Sequence, residues 1–194
     1  MSGNRLDMEQ RTAKARKERL YNLLDWGVYI LIIGVLAFLL LNYVAQRTLV
    51  DGTSMNPTLQ DRDSVLVEKL SYRFGDPERY DIVVFRYLHQ EDTYYIKRVI
   101  GLPGETVQII DGYVYINGQR LESDVYGNDI MLSPGRASEP ILLGEYEYFM
   151  LGDNRNGSSD SRSDSVGNVA KSQIVGKAFV RIWPLSEFSF LKHQ

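Results

Sequence analysis

The chain begins with twenty-five residues that have no apolar rhythm, passes through nineteen almost wholly apolar positions, and then breaks into short alternating runs. The first stretch holds Arg5, Arg11, Lys14, Arg16, Lys17 and Arg19 against four acids. It predicts a solvated basic arm over 1–25. From Trp26 to Val44 a helix would rise about 28 Å, close to the about 30 Å of a bilayer core. Trp26, Tyr29 and Tyr43 would sit towards its two interfaces. The pattern predicts a transmembrane anchor helix over 26–46. Basic residues crowd its N-terminal flank, whereas only Arg47 follows closely. That asymmetry puts the N-terminus in the cytoplasm and the remainder outside, as a single-pass protein of the cell membrane. Removal of the segment as a leader fits poorly, because Tyr43-Val44-Ala45 places a tyrosine where cleavage needs a small residue.

After the anchor, β-branched and aromatic residues gather in short runs. Strands are expected at 65–67, 81–85, 94–100, 106–110, 113–116, 146–151 and 175–182. Asp111-Gly112 and Asn117-Gly118 read as two-residue hairpin turns. No long helical period follows the anchor, so the fold class is mainly β: an antiparallel β-sheet domain over 47–194, with a small inserted β and loop region at about 105–145. Residues 123–139 carry two glycines, a proline and several acids, and read as a mobile insertion without chemistry.

Composition narrows the chemistry. The 194 residues carry a formal charge of -3, too little for a basic nucleic-acid-binding field, and no nucleic acid is expected as a partner. There is no cysteine, which removes disulfides, thiolate metal sites and a cysteine nucleophile. The two histidines, His89 and His193, cannot build a zinc cage, so neither metal nor cofactor is expected. Hydrolysis would have to come from Ser, Thr, Lys or carboxylates.

Three segments could supply it. In Val50-Asp51-Gly52-Thr53-Ser54-Met55-Asn56-Pro57-Thr58-Leu59, Gly52 and Pro57 interrupt strand pairing and can expose Ser54 at a bend. Taken alone, such a serine more often satisfies a turn. The run from Tyr94 to Glu105 holds two cations in an otherwise apolar strand. Alternation puts Tyr95, Lys97 and Val99 on one side and Ile96, Arg98 and Ile100 on the other, so one cation is expected to face the interior. Only Lys97 could act as a base, since a guanidinium keeps its proton, and Arg98 reads as an ion-pair partner. The alternative for Lys97 is an edge-strand lysine with its ammonium in water. The third segment, Gly152 to Arg162, reads by itself as a polar turn, and its spacing does not suit a calcium loop.

In order, these segments resemble the bacterial type I signal peptidases, membrane-anchored serine proteases of the Ser/Lys dyad type. The motifs are Gly-x-Ser-Met-x-Pro-Thr-Leu at Gly52 to Leu59, the strand Asp81 to Phe85, Tyr-Ile-Lys-Arg-x-x-Gly-Leu-Pro-Gly at Tyr95 to Gly104, and Gly-Asp-Asn-x-x-x-Ser-x-Asp-Ser-Arg at Gly152 to Arg162. The resemblance implies Ser54 as nucleophile and Lys97 as general base. It implies that Ser158 hydrogen-bonds the lysine amine, that Asp160 and Arg162 hold the site's architecture, and that Val50 and Ile96 line shallow substrate pockets. The partners implied are signal peptides of exported preproteins, ending in small-x-small residues, and membrane lipid. Some members carry a serine hydroxyl as oxyanion donor where this chain has Gly52, which leaves a backbone N–H there. Two rivals are a soluble self-cleaving Ser/Lys repressor, which would need a DNA-binding region in place of the anchor, and a silent membrane-tethered β module, which would be free to lose Ser54 or Lys97.

Overall fold

The protein is described from a computed structural model, which covers residues 3–39, 45–127 and 129–191. The chain divides into two compact units, Met1–Tyr43 and Val44–Gln194. In the first, helix α1 runs from Gly3 to Leu39. Among the described residues no helix is long and apolar enough to cross a membrane. The apolar part of α1, Trp26 to Leu39, is fourteen positions, a rise of about 21 Å against the about 30 Å of a hydrocarbon core. The rest of the expected span, 40–44, lies outside the described residues. Its expected end at 46 is two residues too long, because Ala45 and Gln46 already belong to a strand in register with Glu68 and Val67.

The second unit is antiparallel β. Its strands are β1 (Ala45–Leu49), β2 (Ser64–Glu68), β3 (Ile82–Arg86), β4 (Tyr94–Gly101), β5 (Thr106–Ile110), β6 (Tyr113–Ile116), β7 (Gln119–Arg120), β8 (Ile141–Leu142), β9 (Glu147–Leu151), β10 (Val169–Ala170), β11 (Ile174–Trp183) and β12 (Ser189–Phe190). The larger sheet has the order β1-β2-β11-β3-β4-β9-β10, with β12 added beside β11, and the smaller has β7-β6-β5-β8. Every expected run is a strand. Ile110 faces Tyr113 across Asp111-Gly112, Ile116 faces Gln119 across Asn117-Gly118, and all four turn residues have positive φ, as type I′ hairpins require. The smaller sheet packs on Tyr80, Ile100, Phe149 and Leu151 of the larger unit through Val107, Ile109, Val114 and Ile116. The stretch expected as a mobile insertion is tied down: Met131 and Ala137 are buried in that cluster, and Asp124 pairs with buried Arg155.

Alternation along β4 follows the expectation. Tyr95 and Val99 pack with Val83, Phe85 and Tyr148, whereas Ile96 packs with Val50, Met55 and Val84 and Ile100 with the smaller sheet. The expectation that one cation faces the interior needs correction, because Lys97 and Arg98 are both buried. The cause is that β4 is covered on both faces here, so alternation offers neither side chain an exit. Among the described residues one edge of β4 is open: its pairing with β9 begins only at Arg98, and Tyr94 to Lys97 pair with β3 alone.

Candidate active site

Ser54 lies in the turn that follows β1. The strand's pairing extends one residue beyond it, as the Val50 N–H donates to the Asp63 carbonyl at 2.8 Å and the Arg62 N–H to that of Val50 at 2.8 Å. Gly52 then takes φ +92°, a value side chains rarely adopt, and the chain reverses. Met55 and Leu59 are wholly buried beside Val65, Ile82 and Val84. Burial of each contributes roughly 1.5–3 kcal/mol, which plugs the turn into the core and leaves Ser54 half-buried at its lip.

A second clasp comes from the loop after β9. The Asn154 N–H donates to the Ser54 carbonyl at 3.1 Å, and Asn154 Nδ2 donates to the Thr53 carbonyl at 3.1 Å. Gly152 lets that loop come close: a Cβ there would lie 2.2 Å from Ser158 Oγ and 2.5 Å from the Ser54 carbonyl oxygen, so no larger residue fits. Asp153 is held by Arg98, whose Nε donates to Oδ1 at 2.8 Å and Nη2 to Oδ2 at 2.6 Å, with both side chains fully buried. Thr58 Oγ1 donates to the same carboxylate. The guanidinium also donates to the Tyr80 carbonyl at 2.8 Å and lies 3.6 Å from the ring centre of Tyr126.

Beyond this point the loop returns along β9, Ser161 exchanging hydrogen bonds with the Met150 backbone. That return buries Asp160, which accepts from the Gly152 N–H at 3.1 Å and from Arg162 Nε and Nη2, both at 2.8 Å.

Lys97, 43 positions from Ser54 in sequence, donates from Nζ to Ser54 Oγ at 2.7 Å and to the Ile96 carbonyl at 2.9 Å. It is 3% exposed, and burial lowers its pKa from 10.5 to about 8, against the opposing pull of Asp160 and Asp153. A desolvated ammonium is disfavoured, so the neutral amine is within reach near neutral pH. A cavity of about 260 Å³ opens beside the pair, walled by Val50, Val84, Tyr95 and Ile96. Val50 is buried and Ile96 half-buried. Among the described residues no cluster of His, Asp or Glu could hold a metal ion.

Two expected contacts differ. The Gly52 N–H is engaged, donating to Asp61 Oδ1 at 2.8 Å. The Ser158 hydroxyl is buried without a hydrogen-bond partner among the described residues, and Lys97 uses Ser54 and Ile96 instead. Sequence reasoning missed the roles of Gly152, Asp153, Asn154 and Thr58; the signal was a Gly-Asp-Asn block at the end of a strand, whose partners lie 55 to 101 positions away.

Residues 23–183 match the family described as signal peptidase, peptidase S26. A probable signal peptidase I-2 of Synechocystis is 38% identical, over 87% of this chain and 77% of its own. A signal peptidase I S of Bacillus subtilis is 35% identical, over 86% and 92%. A solved signal peptidase I from Enterococcus faecalis is 34% identical over 53% of this chain and 96% of its own, with a TM-score of 0.45. The chain belongs to the signal peptidase family of serine endopeptidases.

Proposed function

We propose that the protein removes signal peptides from exported preproteins, cutting after small-x-small sites, with Ser54 as nucleophile and Lys97 as general base. The observation that carries the reading is the 2.7 Å contact between Lys97 Nζ and Ser54 Oγ at a buried lysine whose pKa falls to about 8. The neutral amine takes the serine proton as Oγ attacks the scissile carbonyl, and returns it to the leaving amine; water then releases the acyl group. The Ser54 N–H donates to no group among the described residues and is offered to the developing oxyanion. Gly52 can add its own N–H only by releasing Asp61. Ser158 is the amine's reserve partner, its buried hydroxyl being otherwise unused. Asp160 and Arg162 fix the Gly152 turn against which Ser158 rests.

The substrate adds as an extended strand between β1, the end strand of its sheet, and the open edge of β4 at Tyr94 to Lys97. Val50 and Ile96 wall shallow apolar pockets that suit small side chains.

Purified protein is expected to cleave a preprotein at one small-x-small site, and Ser54→Ala to leave it intact. Ser158→Ala is expected to fold normally and to lose part of kcat; a kcat equal to the parent's would make that hydroxyl scaffolding only.

The anchor belongs to the same reading. Trp26, Tyr29, Ile30, Leu31, Ile33 and Phe38 are each more than three-fifths exposed on α1, and the apolar sequence continues to Val44. In a membrane those side chains meet lipid, with the basic N-terminal arm in the cytoplasm and the catalytic unit outside. Protease added to spheroplasts is expected to digest the chain after Arg47 and spare the first twenty residues. Protection of the C-terminal unit would reverse the orientation and remove the substrate assignment.

A further inference from the structure

The groove beside Ser54 does not end at the pockets just described. A second cavity, of about 280 Å³, adjoins the first, sharing Thr48, Val84 and Tyr94, and runs back along β1 to Gln46. Its lining includes Lys69 and Arg86 and no carboxylate. Among the described residues neither cation has an ion-pair partner, Lys69 being half-buried and Arg86 exposed. The acid next in sequence, Glu68, is turned away, accepting from the N–H groups of Leu70 and Ser71 through Oε2. Two cations with no acid of their own therefore face one end of an extended groove whose other end holds the dyad.

We propose that this second cavity is a subsite that selects an acidic side chain at the fifth residue before the scissile bond. The inference rests on the reading of the chain as a signal-peptide-cleaving protease and adds a preference within it. Alternate residues of a strand share a face, at about 3.3 Å per residue. With the first and third residues before the bond facing Val50 and Ile96, the next residue on that face is the fifth. It lies two positions further back, where β1 has moved from Thr48 to Gln46 and Lys69 and Arg86 are the charges in reach. A carboxylate there gains two attractions at no desolvation greater than a surface pair bears, and a lysine meets two like charges.

The test uses three peptides identical except for Glu, Gln or Lys at that fifth position, cleaved by the full-length protein in detergent. The expected order of kcat/KM is Glu over Gln over Lys, with about fivefold between the ends, the size of exposed charge pairs. The spread should shrink in about 1 M salt, where screening acts over about 3 Å. In Lys69→Ala/Arg86→Ala the three peptides should be cut within twofold of one another. Equal rates for all three peptides with the parent protein, or an unchanged preference in the double variant, would overturn the subsite. Failure to cut any of the peptides would instead strike the protease reading. In that event the Kd values of the same peptides for Ser54→Ala decide the subsite: ranking by charge supports it and equality removes it.

Discussion

Asp153→Ala should destabilise the catalytic unit by about 3–5 kcal/mol, the range for leaving one member of a buried ion pair without its partner. Arg98 and Asp153 are both fully buried, and the pair is bidentate, so removing the carboxylate takes two charge-assisted hydrogen bonds from the guanidinium. The same carboxylate holds Thr58, at the end of the turn that carries Ser54, and sits beside Asn154, which holds the Ser54 carbonyl. Loss of stability and loss of kcat should therefore appear together. Urea unfolding followed by a kinetic assay below the transition separates the two. In Arg98→Met/Asp153→Leu much of the stability should return, because an apolar pair of similar volume replaces two buried charges, while activity should stay low without the carboxylate that fixes Thr58. An Asp153→Ala protein as stable as the parent would show that the loop is held by its backbone contacts alone.

How the chain spaces its residues explains what could be read from it. The runs 65–67, 81–85 and 106–116 announced themselves because each strand buries a regular set of β-branched side chains and because Asp-Gly and Asn-Gly admit few conformations other than the turns they form. β1 was illegible, since Ala45-Gln46-Arg47-Thr48-Leu49 lies at the end of its sheet and buries almost nothing, so its sequence carries no alternation. β7, β8, β10 and β12 are two residues each, too short for any period. Ser54 and Lys97 were legible as candidates, a serine at a bend and a deprotonatable cation in an apolar strand, and it was the order of the motifs, resembling the signal peptidases, that singled them out. What placed them together was not, because their contact depends on Met55 and Leu59 seating the turn and on Asn154 reaching Thr53 across 101 positions. Arg98 read correctly as an ion-pair member, but its partner could not be named from a loop that offered Asp153 and Asp160 equally.

The buried lysine also carries a cost that agrees with a functional rather than a structural reason for its place. A folded pKa of about 8 against 10.5 means the unfolded chain holds the proton more tightly between those values. Stability therefore rises with pH across that window, and below pH 8 the charged lysine withholds about 3 kcal/mol from the fold. Lys97→Met, which removes the ammonium, is expected to be inactive and to lose that pH dependence.

The most direct test of the dyad is the pH profile of kcat/KM on a small-x-small peptide, for the parent and for Lys97→Arg. In the proposed dyad Lys97 acts only when neutral, so the parent's rate should rise tenfold per pH unit in acid, bend at an apparent pKa near 8, and level off in mildly alkaline solution. Arginine keeps the charge and roughly the size but does not deprotonate, so Lys97→Arg should fall by about 10²–10⁴-fold or more at every pH. A rate flat from about pH 6 to 9, or a Lys97→Arg protein that still cleaves near the parent's rate, would contradict the assignment and leave Ser54 without its base.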